Sequence, residues 1–347
     1  MIKNLCILFL VGLALSGGTR PSHAEPVRLI FDTDMGNDID DAMALAMIHQ
    51  LERRGLVKLL AVTSTKDNPQ SAAYIDALNT FYGYPGVPIG AVRNGATPEQ
   101  GRYLGIANEK SGNGQLRYPH DLKSGIDAPD AVALLRKTLA SQPDGSVKMV
   151  QVGFSTNLAR LLQSTKDEFS PLDGSALIRK KVKELVVMAG SFQTIGFKTK
   201  HLEYNVIKDI PSAKLFAEKW PVPVVWSGYE IGIAVAYPWK SIMEDYDYVS
   251  HHLIKESYLA YVPTKPHDRP TWDLTAALYA ILPDRGYFSL SSPGNVTVDD
   301  EGRTDFSPNP KGNDRYLIMD EIQSARVREA FVQLCSEPPH SETVEKP

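Results

Sequence analysis

The sequence predicts a single α/β domain in which a mostly parallel central sheet is flanked by helices. Short segments rich in valine, isoleucine and leucine alternate along the chain with longer segments whose apolar residues recur at helical spacing. Such alternation is typical of parallel strands joined by crossover helices. The 347 residues are 43% hydrophobic, which suffices for one large core or two small ones, and no low-complexity linker or internal repeat divides them.

The first two thirds of the chain supply the clearest elements. Residues 27–31 form an apolar run that predicts the first strand, and residues 40–54 follow with the apolar spacing of a helix. By the same criteria, further strands are predicted at residues 56–62, 87–89, 147–152, 185–189 and 222–226. Further helices are predicted at residues 69–82, 128–140, 157–162 and 212–220. The Gly- and Asn-rich stretch 91–126 is too long for an ordinary connection, which indicates a functional lid or a mobile segment.

The last third is predicted to be mostly helical. Its expected elements are helices at residues 251–261, 273–282 and 322–334, with β-like segments around Val296 and at residues 316–319. Residues 338–347 are predicted to be a disordered tail. In an open parallel sheet, ligands bind beyond the carboxyl ends of the strands. The loops that follow Phe31, Val62, Val152 and Ala189 should therefore meet at one site.

The N-terminus has the features of a secretory signal peptide. Lys3 precedes an apolar run at residues 5–15, and small residues precede a cleavage site after Ala24. The apolar run is shorter than the ~20 residues that a membrane-spanning helix requires. We therefore expect residues 1–24 to be a signal peptide, residues 25–337 to be one exported domain in the periplasm or outside the cell, and no membrane contact after cleavage. An uncleaved N-terminal anchor is the alternative.

Charge and cysteine content exclude several classes of function. The formal net charge is −4, and it becomes −6 when Lys3 and Arg20 are lost with residues 1–24. A mildly acidic surface does not attract nucleic acid or anionic lipid, so neither is an expected partner. Cys335 is the one cysteine beyond the predicted signal peptide, which rules out an intramolecular disulfide even in an oxidising compartment.

An acidic loop follows the first predicted strand, with five aspartates among the ten residues from Asp32 to Asp41. Two unit charges about 4 Å apart repel by about 4 kcal/mol at an effective dielectric of roughly 20, so the cluster requires a compensating positive charge. A helix N-terminus supplies only about half a charge, whereas calcium takes roughly six to eight oxygen ligands. The loop therefore predicts a calcium site. The alternative is that these aspartates only turn the chain and cap the next helix.

The same loop carries a resemblance to a known family. Residues 32–45, DTDMGNDIDDAMAL, resemble the N-terminal signature of the inosine-uridine preferring nucleoside hydrolases. Further matches follow in order: VTSTKDN at 62–68, GFSTNLA at 153–159, MAG at 188–190, EYNV at 203–206 and WD at 272–273. Only the first match is specific by itself. The resemblance implies a nucleoside hydrolase-like α/β fold, a catalytic domain at residues 25–337, and hydrolysis of the N-glycosidic bond of ribonucleosides or a related riboside.

The resemblance also implies roles for particular residues. Calcium would be bound by Asp34, Asp41, the carbonyl of Thr156 and Asp273. Asp34 would also be the general base for a calcium-bound water. The ribose hydroxyls would be held by Asp40, Asn68, Glu203 and Asn205. These implications agree with the chemistry of such a site, because a cation lowers the pKa of bound water and a neighbouring carboxylate accepts its proton.

Two departures from the family pattern introduce alternatives. The loop has two more residues between Gly36 and the Asp40-Asp41 pair than the commonest signature, so Asp38 is an alternative for the role given to Asp40. Trp272 stands where members that act on purines often have a histidine that helps the base to leave. Trp272 can stack on a base but cannot protonate it. His120, in the long loop, is the nearest candidate for a substitute acid.

Two other functions stay open from the sequence. A phosphohydrolase of the haloacid dehalogenase type also begins with Asp-x-Asp after its first strand, and it would use Asp32 as a nucleophile with Mg²⁺. The additional aspartates and the lack of a suitably placed lysine argue against it. A non-catalytic exported protein that binds a nucleoside or ribose is the second alternative. The expected partner is a small nucleoside, the base is unspecified, and the family's habit favours a homodimer or homotetramer.

Overall fold

The computed structural model describes residues 25–195 and 201–339. The predicted signal peptide and residues 340–347 of the predicted tail lie outside this range. Within the described ranges, no helix combines the length and the apolar character that crossing a bilayer requires.

A large mixed sheet forms the centre of the molecule. Its first six strands are β1 (Val27–Thr33), β2 (Val57–Lys66), β3 (Ile89–Ala96), β4 (Val147–Gln151), β5 (Val182–Met188) and β6 (Val224–Ser227). Its last four are β9 (Ser289–Leu290), β10 (Gly294–Val298), β11 (Thr304–Pro308) and β12 (Asp314–Ile318). Between these two groups in sequence, β7 (Ala236–Tyr237) and β8 (Arg269–Pro270) form a separate short pair. The order of the strands in the large sheet is β11-β10-β12-β6-β5-β4-β1-β2-β3, with β9 paired to β12. In this order, the strands from β12 to β3 pair in parallel, whereas β9 and β10 pair antiparallel to β12, and β11 pairs antiparallel to β10.

Helices cover both faces of this sheet. They are α1 (Asp40–Arg53), α2 (Pro69–Phe81), α3 (Ala131–Ala140), α4 (Thr156–Gln163), α5 (Gly174–Lys181), α6 (Tyr204–Lys208), α7 (Ile210–Lys219), α8 (Tyr229–Ile233), α9 (Trp239–Glu244), α10 (Leu253–Tyr261), α11 (Asp273–Ile281) and α12 (Glu321–Ser336). One hydrophobic core includes residues of α1, α2, α11 and α12, and the other includes residues of α3, α4, α5 and α7.

The central strand β1 shows why the chain needs continuous apolar runs. Successive side chains of a strand point to opposite faces of the sheet. Leu29 and Phe31 pack into the first core, Ile30 packs into the second, and all three are fully buried. Since helices cover both faces, every position of the strand from Leu29 to Thr33 is buried. The predicted α/β fold with a mostly parallel, helix-flanked sheet is confirmed.

The long stretch from residue 91 to residue 126 is more ordered than an ordinary loop. Residues up to Ala96 continue β3, which therefore extends beyond the predicted residues 87–89. A short 3-10 helix follows at Leu104–Asn108. The hydroxyl of Tyr103 donates to the backbone carbonyl of Asp38 at 2.6 Å and accepts from the backbone N–H of Gly36 at 2.8 Å. This stretch thus packs on the acidic loop and holds its backbone.

Candidate active site

The acidic loop opens into a cavity at the carboxyl edge of the parallel strands. The cavity has a volume of about 350 Å³. Asp34, Val152 and Met188, at or just after the ends of β1, β4 and β5, contribute to its wall. Its acidic side chains are Asp34, Asp38, Asp40, Asp41, Glu203 and Asp273. The loops after these three strands therefore meet at one site, as the parallel topology requires.

Asp32 links three elements and is not among the described residues that line the cavity. Its Oδ1 accepts a hydrogen bond from the Thr63 hydroxyl of β2 at 2.5 Å and another from Nδ2 of Asn157 in α4 at 2.8 Å. Burial raises the pKa of Asp32 to about 7, although the two hydrogen bonds oppose that rise. Asp32 therefore joins β1, β2 and α4 at the start of the acidic loop.

Asp34 stands at the end of a hydrogen-bonded chain that starts from a buried cation. Nζ of Lys66 donates to Oδ1 of Asn37 at 2.8 Å, and Nδ2 of Asn37 donates to Oδ2 of Asp34 at 2.7 Å. Burial raises the pKa of Asp34 to about 6, against the opposing hydrogen bond from Asn37. Lys66 is 1% exposed, and its own pKa is lowered by burial. Asn37, in the loop after β1, and Lys66, the last residue of β2, thus orient the Asp34 carboxylate.

Three carboxylates converge where the acidic loop meets α11. One oxygen from each of Asp40, Asp41 and Asp273 lies within 4.8 Å of the other two. Oδ2 of Asp40 accepts from the backbone N–H groups of Trp272 at 2.8 Å and Asp273 at 3.3 Å, which fixes the start of α11 against the loop. The Thr33 hydroxyl donates to Oδ1 of Asp41. Oδ2 of Asp41 and Oδ2 of Asp273 are buried without a hydrogen-bond partner among the described residues.

These carboxylates fit a metal ion. Burial is the main cause that raises the pKa of Asp40 to about 8, and the charge of Asp38 adds to it. Burial and mutual repulsion also raise the pKa values of Asp41 and Asp273 well above their usual range. Buried charges without a counter-charge are costly, and a divalent cation offsets that cost by binding the free oxygens. The aspartate cluster is therefore able to hold a metal ion.

Asp38 is separate from this cluster because it pairs with Arg269, the first residue of β8. Nε of Arg269 donates to Oδ1 of Asp38 at 3.3 Å, and Nη2 donates to Oδ2. Oδ1 also accepts from the backbone N–H of Ile39 at 2.6 Å. The longer loop thus places an ion pair at the cavity while Asp40 and Asp41 keep adjacent positions in the first turn of α1.

Glu203 and Asn205 form another wall of the cavity at the start of α6. Oε1 of Glu203 accepts from the backbone N–H of Asn205 at 2.7 Å, and Oε2 accepts from those of Gly190 and Val206, each at 3.1 Å. Burial raises the pKa of Glu203 to about 7, and these backbone hydrogen bonds oppose the rise. Nδ2 of Asn205 donates to the Val152 carbonyl at 2.7 Å. Both side chains are therefore held rigidly.

Comparison with known proteins identifies the family. The family model described as "Inosine-uridine preferring nucleoside hydrolase" matches residues 29–329. The chain belongs to this family. It is 28% identical over 204 residues to the inosine-uridine preferring nucleoside hydrolase of Crithidia fasciculata, a match that covers 58% of this chain and 60% of the relative. It is 29% identical over 192 residues to uridine nucleosidase 1 of Arabidopsis thaliana, which covers 54% of this chain and 52% of the relative.

Solved structures agree on the fold. A plant nucleoside hydrolase superposes with a TM-score of 0.66 at 20% identity, covering 90% of this chain and all of the other. A purine-preferring ribonucleoside hydrolase from Gardnerella vaginalis gives a TM-score of 0.67 at 19% identity, covering 89% of this chain and 98% of the other. At such identities the likeness establishes the nucleoside hydrolase fold alone.

Most of the predicted site residues lie together. The cavity is lined by Asp34, Asp40, Asp41, Glu203, Asn205, Trp272 and Asp273. Asn68 is not among the described lining residues: it caps α2, where its side chain accepts from the backbone N–H of Gln70 at 3.0 Å and donates to the Pro98 carbonyl at 2.9 Å. Thr156 is likewise outside the lining; it is the buried first residue of α4, and its hydroxyl donates to Asp209.

The cavity also contains residues that sequence reasoning missed. Asn37 lines the cavity and donates a hydrogen bond to Asp34, and it lies within the acidic loop already singled out. Arg269, Tyr229 and Tyr261 lack such a local signal, because elements distant in sequence from the acidic loop bring them to the cavity, namely β8, α8 and α10.

Proposed function

We propose that this nucleoside hydrolase cleaves the N-glycosidic bond of ribonucleosides, or of a related riboside, with calcium as its metal. The observation that carries the proposal is one cavity that combines buried, partly unpartnered carboxylates with the rigid polar groups of Glu203 and Asn205. The names of the relatives, an inosine-uridine preferring nucleoside hydrolase and a uridine nucleosidase, support it. The matched part spans about 60% or less of those relatives, so the activity rests on this proposal.

Calcium suits the donor set because the cluster offers oxygen ligands only, with no histidine or cysteine among the described lining residues. Asp41 and Asp273 would hold it through their unpartnered oxygens. Asp34 and the carbonyl of Thr156 complete the set that the family resemblance implies. When bound, the metal lowers the pKa of a water molecule and orients it for attack.

Asp34 is proposed as the proton acceptor. The hydrogen bond from Asn37 orients its carboxylate in the cavity, where it would accept a proton from the attacking water. The water oxygen bonds to C1′ of the ribose, the C1′–N bond breaks, and its electron pair goes to the base. The surrounding carboxylates stabilise the positive charge that develops on the ribose.

Asp40, Glu203 and Asn205 are proposed to hold the ribose hydroxyls. The oxygens of Glu203 are fixed by backbone N–H groups, and the two donor bonds of Asn205 Nδ2 leave its Oδ1 as an acceptor. A rigid acceptor set suits vicinal hydroxyls, since a missing hydroxyl would leave buried polar groups unpaired.

The haloacid dehalogenase alternative finds no support at Asp32. A nucleophile must face the substrate, whereas Asp32 is fully buried and bonded to Thr63 and Asn157. A non-catalytic binding protein would have the same cavity, so a hydrolysis assay is needed to distinguish it from an enzyme.

The test is hydrolysis of p-nitrophenyl riboside, whose leaving group needs no protonation. We expect turnover of this riboside, none of p-nitrophenyl phosphate, and a loss of about 10²-fold or more with the 2′-deoxyriboside. Binding of ribose without turnover of any riboside would favour the non-catalytic protein. Phosphatase activity in the absence of riboside hydrolysis would favour the haloacid dehalogenase type.

A substitution at Gly153 tests whether catalysis depends on the position of Asp34. A Cβ at this position would lie 2.3 Å from Oγ1 of Thr65 and 2.6 Å from the backbone nitrogen of Asp34. Because a displacement of about 1 Å in a catalytic group can cost about 10²-fold in rate, we expect Gly153→Ala to lower kcat by roughly that factor. Gly86→Ala is the control, since nothing lies within 4 Å of its Cβ position. Equal kcat values for the two variants would contradict the proposed role of Asp34 as proton acceptor.

A further inference from the structure

The departing base needs a group that compensates its charge, and the cavity contains one candidate. Among its described lining residues there is no histidine or lysine, and Arg269 is the one cation. His120, the substitute acid considered from the sequence, does not line the cavity; its Nδ1 is bonded to the Tyr118 carbonyl at 2.8 Å. The inference below rests on the proposed function, because it concerns the leaving group of that reaction.

Arg269 is held in place by acidic and aromatic neighbours. Asp38 binds Nε and Nη2 of the guanidinium, and the Tyr261 hydroxyl accepts from Nη2 at 3.2 Å. The guanidinium carbon lies 5.3 Å from the ring centroid of Tyr261 and 5.3 Å from that of Trp272, within cation–π range. The hydrogen bonds that the guanidinium donates to the described residues come from Nε and Nη2, and none comes from Nη1. The side chain is thus oriented and still has a nitrogen available to a ligand.

The aromatic wall beside Arg269 suits a planar ring. Trp272 and Tyr229 are stacked with centroids 5.4 Å apart, and Nε1 of Trp272 donates to the Tyr229 carbonyl at 2.9 Å. Both residues line the cavity with Tyr261. A heterocyclic base that packs against the cavity-facing side of these rings would lie in the same part of the cavity as Arg269. Arg269 and Trp272 therefore belong to the same part of the site.

Arg269 cannot act as an acid. Burial would lower its pKa, but the hydrogen bonds and the charge of Asp38 outweigh burial and raise the pKa above its ordinary value. Its effect on a leaving group must therefore be electrostatic. A guanidinium N–H that meets a developing negative charge stabilises the transition state more than the ground state.

We propose that Arg269 stabilises the departing base as an anion by donating a hydrogen bond to an exocyclic oxo oxygen, which makes oxo-bearing bases the preferred substrates. When the C1′–N bond breaks, its electron pair delocalises from the ring nitrogen to that oxygen. Arg269 keeps its proton, and the released base takes a proton from solvent. Asp38 is the positioning residue, because it fixes two nitrogens of the guanidinium and leaves the third for the base.

The experiment compares Arg269→Met with wild type on inosine, adenosine and p-nitrophenyl riboside. We expect kcat/KM for inosine to fall about 10²-fold, as when one oxyanion donor is removed. Adenosine has no oxo group and p-nitrophenolate is a good leaving group, so both should fall less than about tenfold. Arg117→Met is the control, because Arg117 also pairs with carboxylates and is 24% exposed against 23% for Arg269.

Asp38→Asn keeps the inference testable if Arg269→Met fails to fold. It should lower kcat for inosine with a smaller change for p-nitrophenyl riboside, and Arg269→Lys should restore part of the inosine rate. Equal losses on all three substrates, or an unchanged inosine rate in Arg269→Met, would overturn the inference while the proposed function stands. Absence of riboside hydrolysis by the wild-type protein would instead overturn the proposed function, and the inference with it.

Discussion

Replacing Asp34 by asparagine should lower kcat for riboside hydrolysis about 10²- to 10⁴-fold. Asparagine keeps the size of the side chain and one oxygen, but it cannot accept the proton of the attacking water. Steady-state kinetics on p-nitrophenyl riboside would measure the loss. Asp144→Asn is a suitable control, because Asp144 is an exposed carboxylate paired with Lys181 away from the cavity.

The same variant separates proton transfer from metal binding. Calcium affinity, measured by titration calorimetry, should fall much less in Asp34→Asn than in Asp41→Ala, which removes a proposed ligand outright. Near wild-type activity in Asp34→Asn combined with an inactive Asp38→Asn would show that the longer loop has moved the base. The ion pair between Asp38 and Arg269 gives the structural reason to expect the opposite.

Removal of calcium should abolish activity and destabilise the fold. A ligand present at about 100 times its Kd adds about 2.7 kcal/mol to the free energy of unfolding, and a strong chelator would remove that contribution. The physical source is the pair of unpartnered buried oxygens on Asp41 and Asp273. Thermal unfolding with and without chelator would measure the change, and the Asp41→Ala variant should respond much less. An unchanged Tm, together with no metal by elemental analysis, would rule out the metal site.

The metal-free protein should also show a distinctive pH dependence. Burial raises the pKa of Asp40 from an ordinary value of 3.8 to about 8 in the folded state. A raised folded-state pKa gives stability that is present below about pH 4 and is lost as the pH rises toward 8. Calcium should suppress this loss, because it stabilises the ionised carboxylates.

The fold was predictable because apolar runs typical of strands and segments of helical spacing alternate repeatedly along the chain. β1, β2 and β4 are short, largely buried apolar runs, whereas the apolar residues of the helices between them recur at helical spacing over longer segments. α5 was not predicted, since its eight residues span little more than two turns and begin with Gly174. Short elements of this kind owe their structure to packing, here against α3 and α4, rather than to their own pattern.

Composition alone predicted the site only where its residues are neighbours in sequence, whereas Glu203, Asn205, Trp272 and Asp273 were predicted through the family resemblance. The aspartates from Asp34 to Asp41 share one loop, and their crowding alone indicates a cation. Asn68 shows the opposite case: an asparagine directly before Pro69 has the local chemistry of a helix cap, and the structure gives it that position. Arg269 was missed because an isolated arginine carries no signal until folding brings it beside Asp38.

The hydrogen bonds from Trp272 and Asp273 to Asp40 span more than 230 positions of the chain. An amino-terminal fragment that ends before β8 would contain the whole acidic loop and yet lack both Asp273 and the backbone N–H groups that hold Asp40. During synthesis, the loop therefore has no complete site until α11 has emerged and docked beside β4 and β5. Metal binding would therefore come late in folding and would stabilise only chains in which these two distant parts have joined correctly.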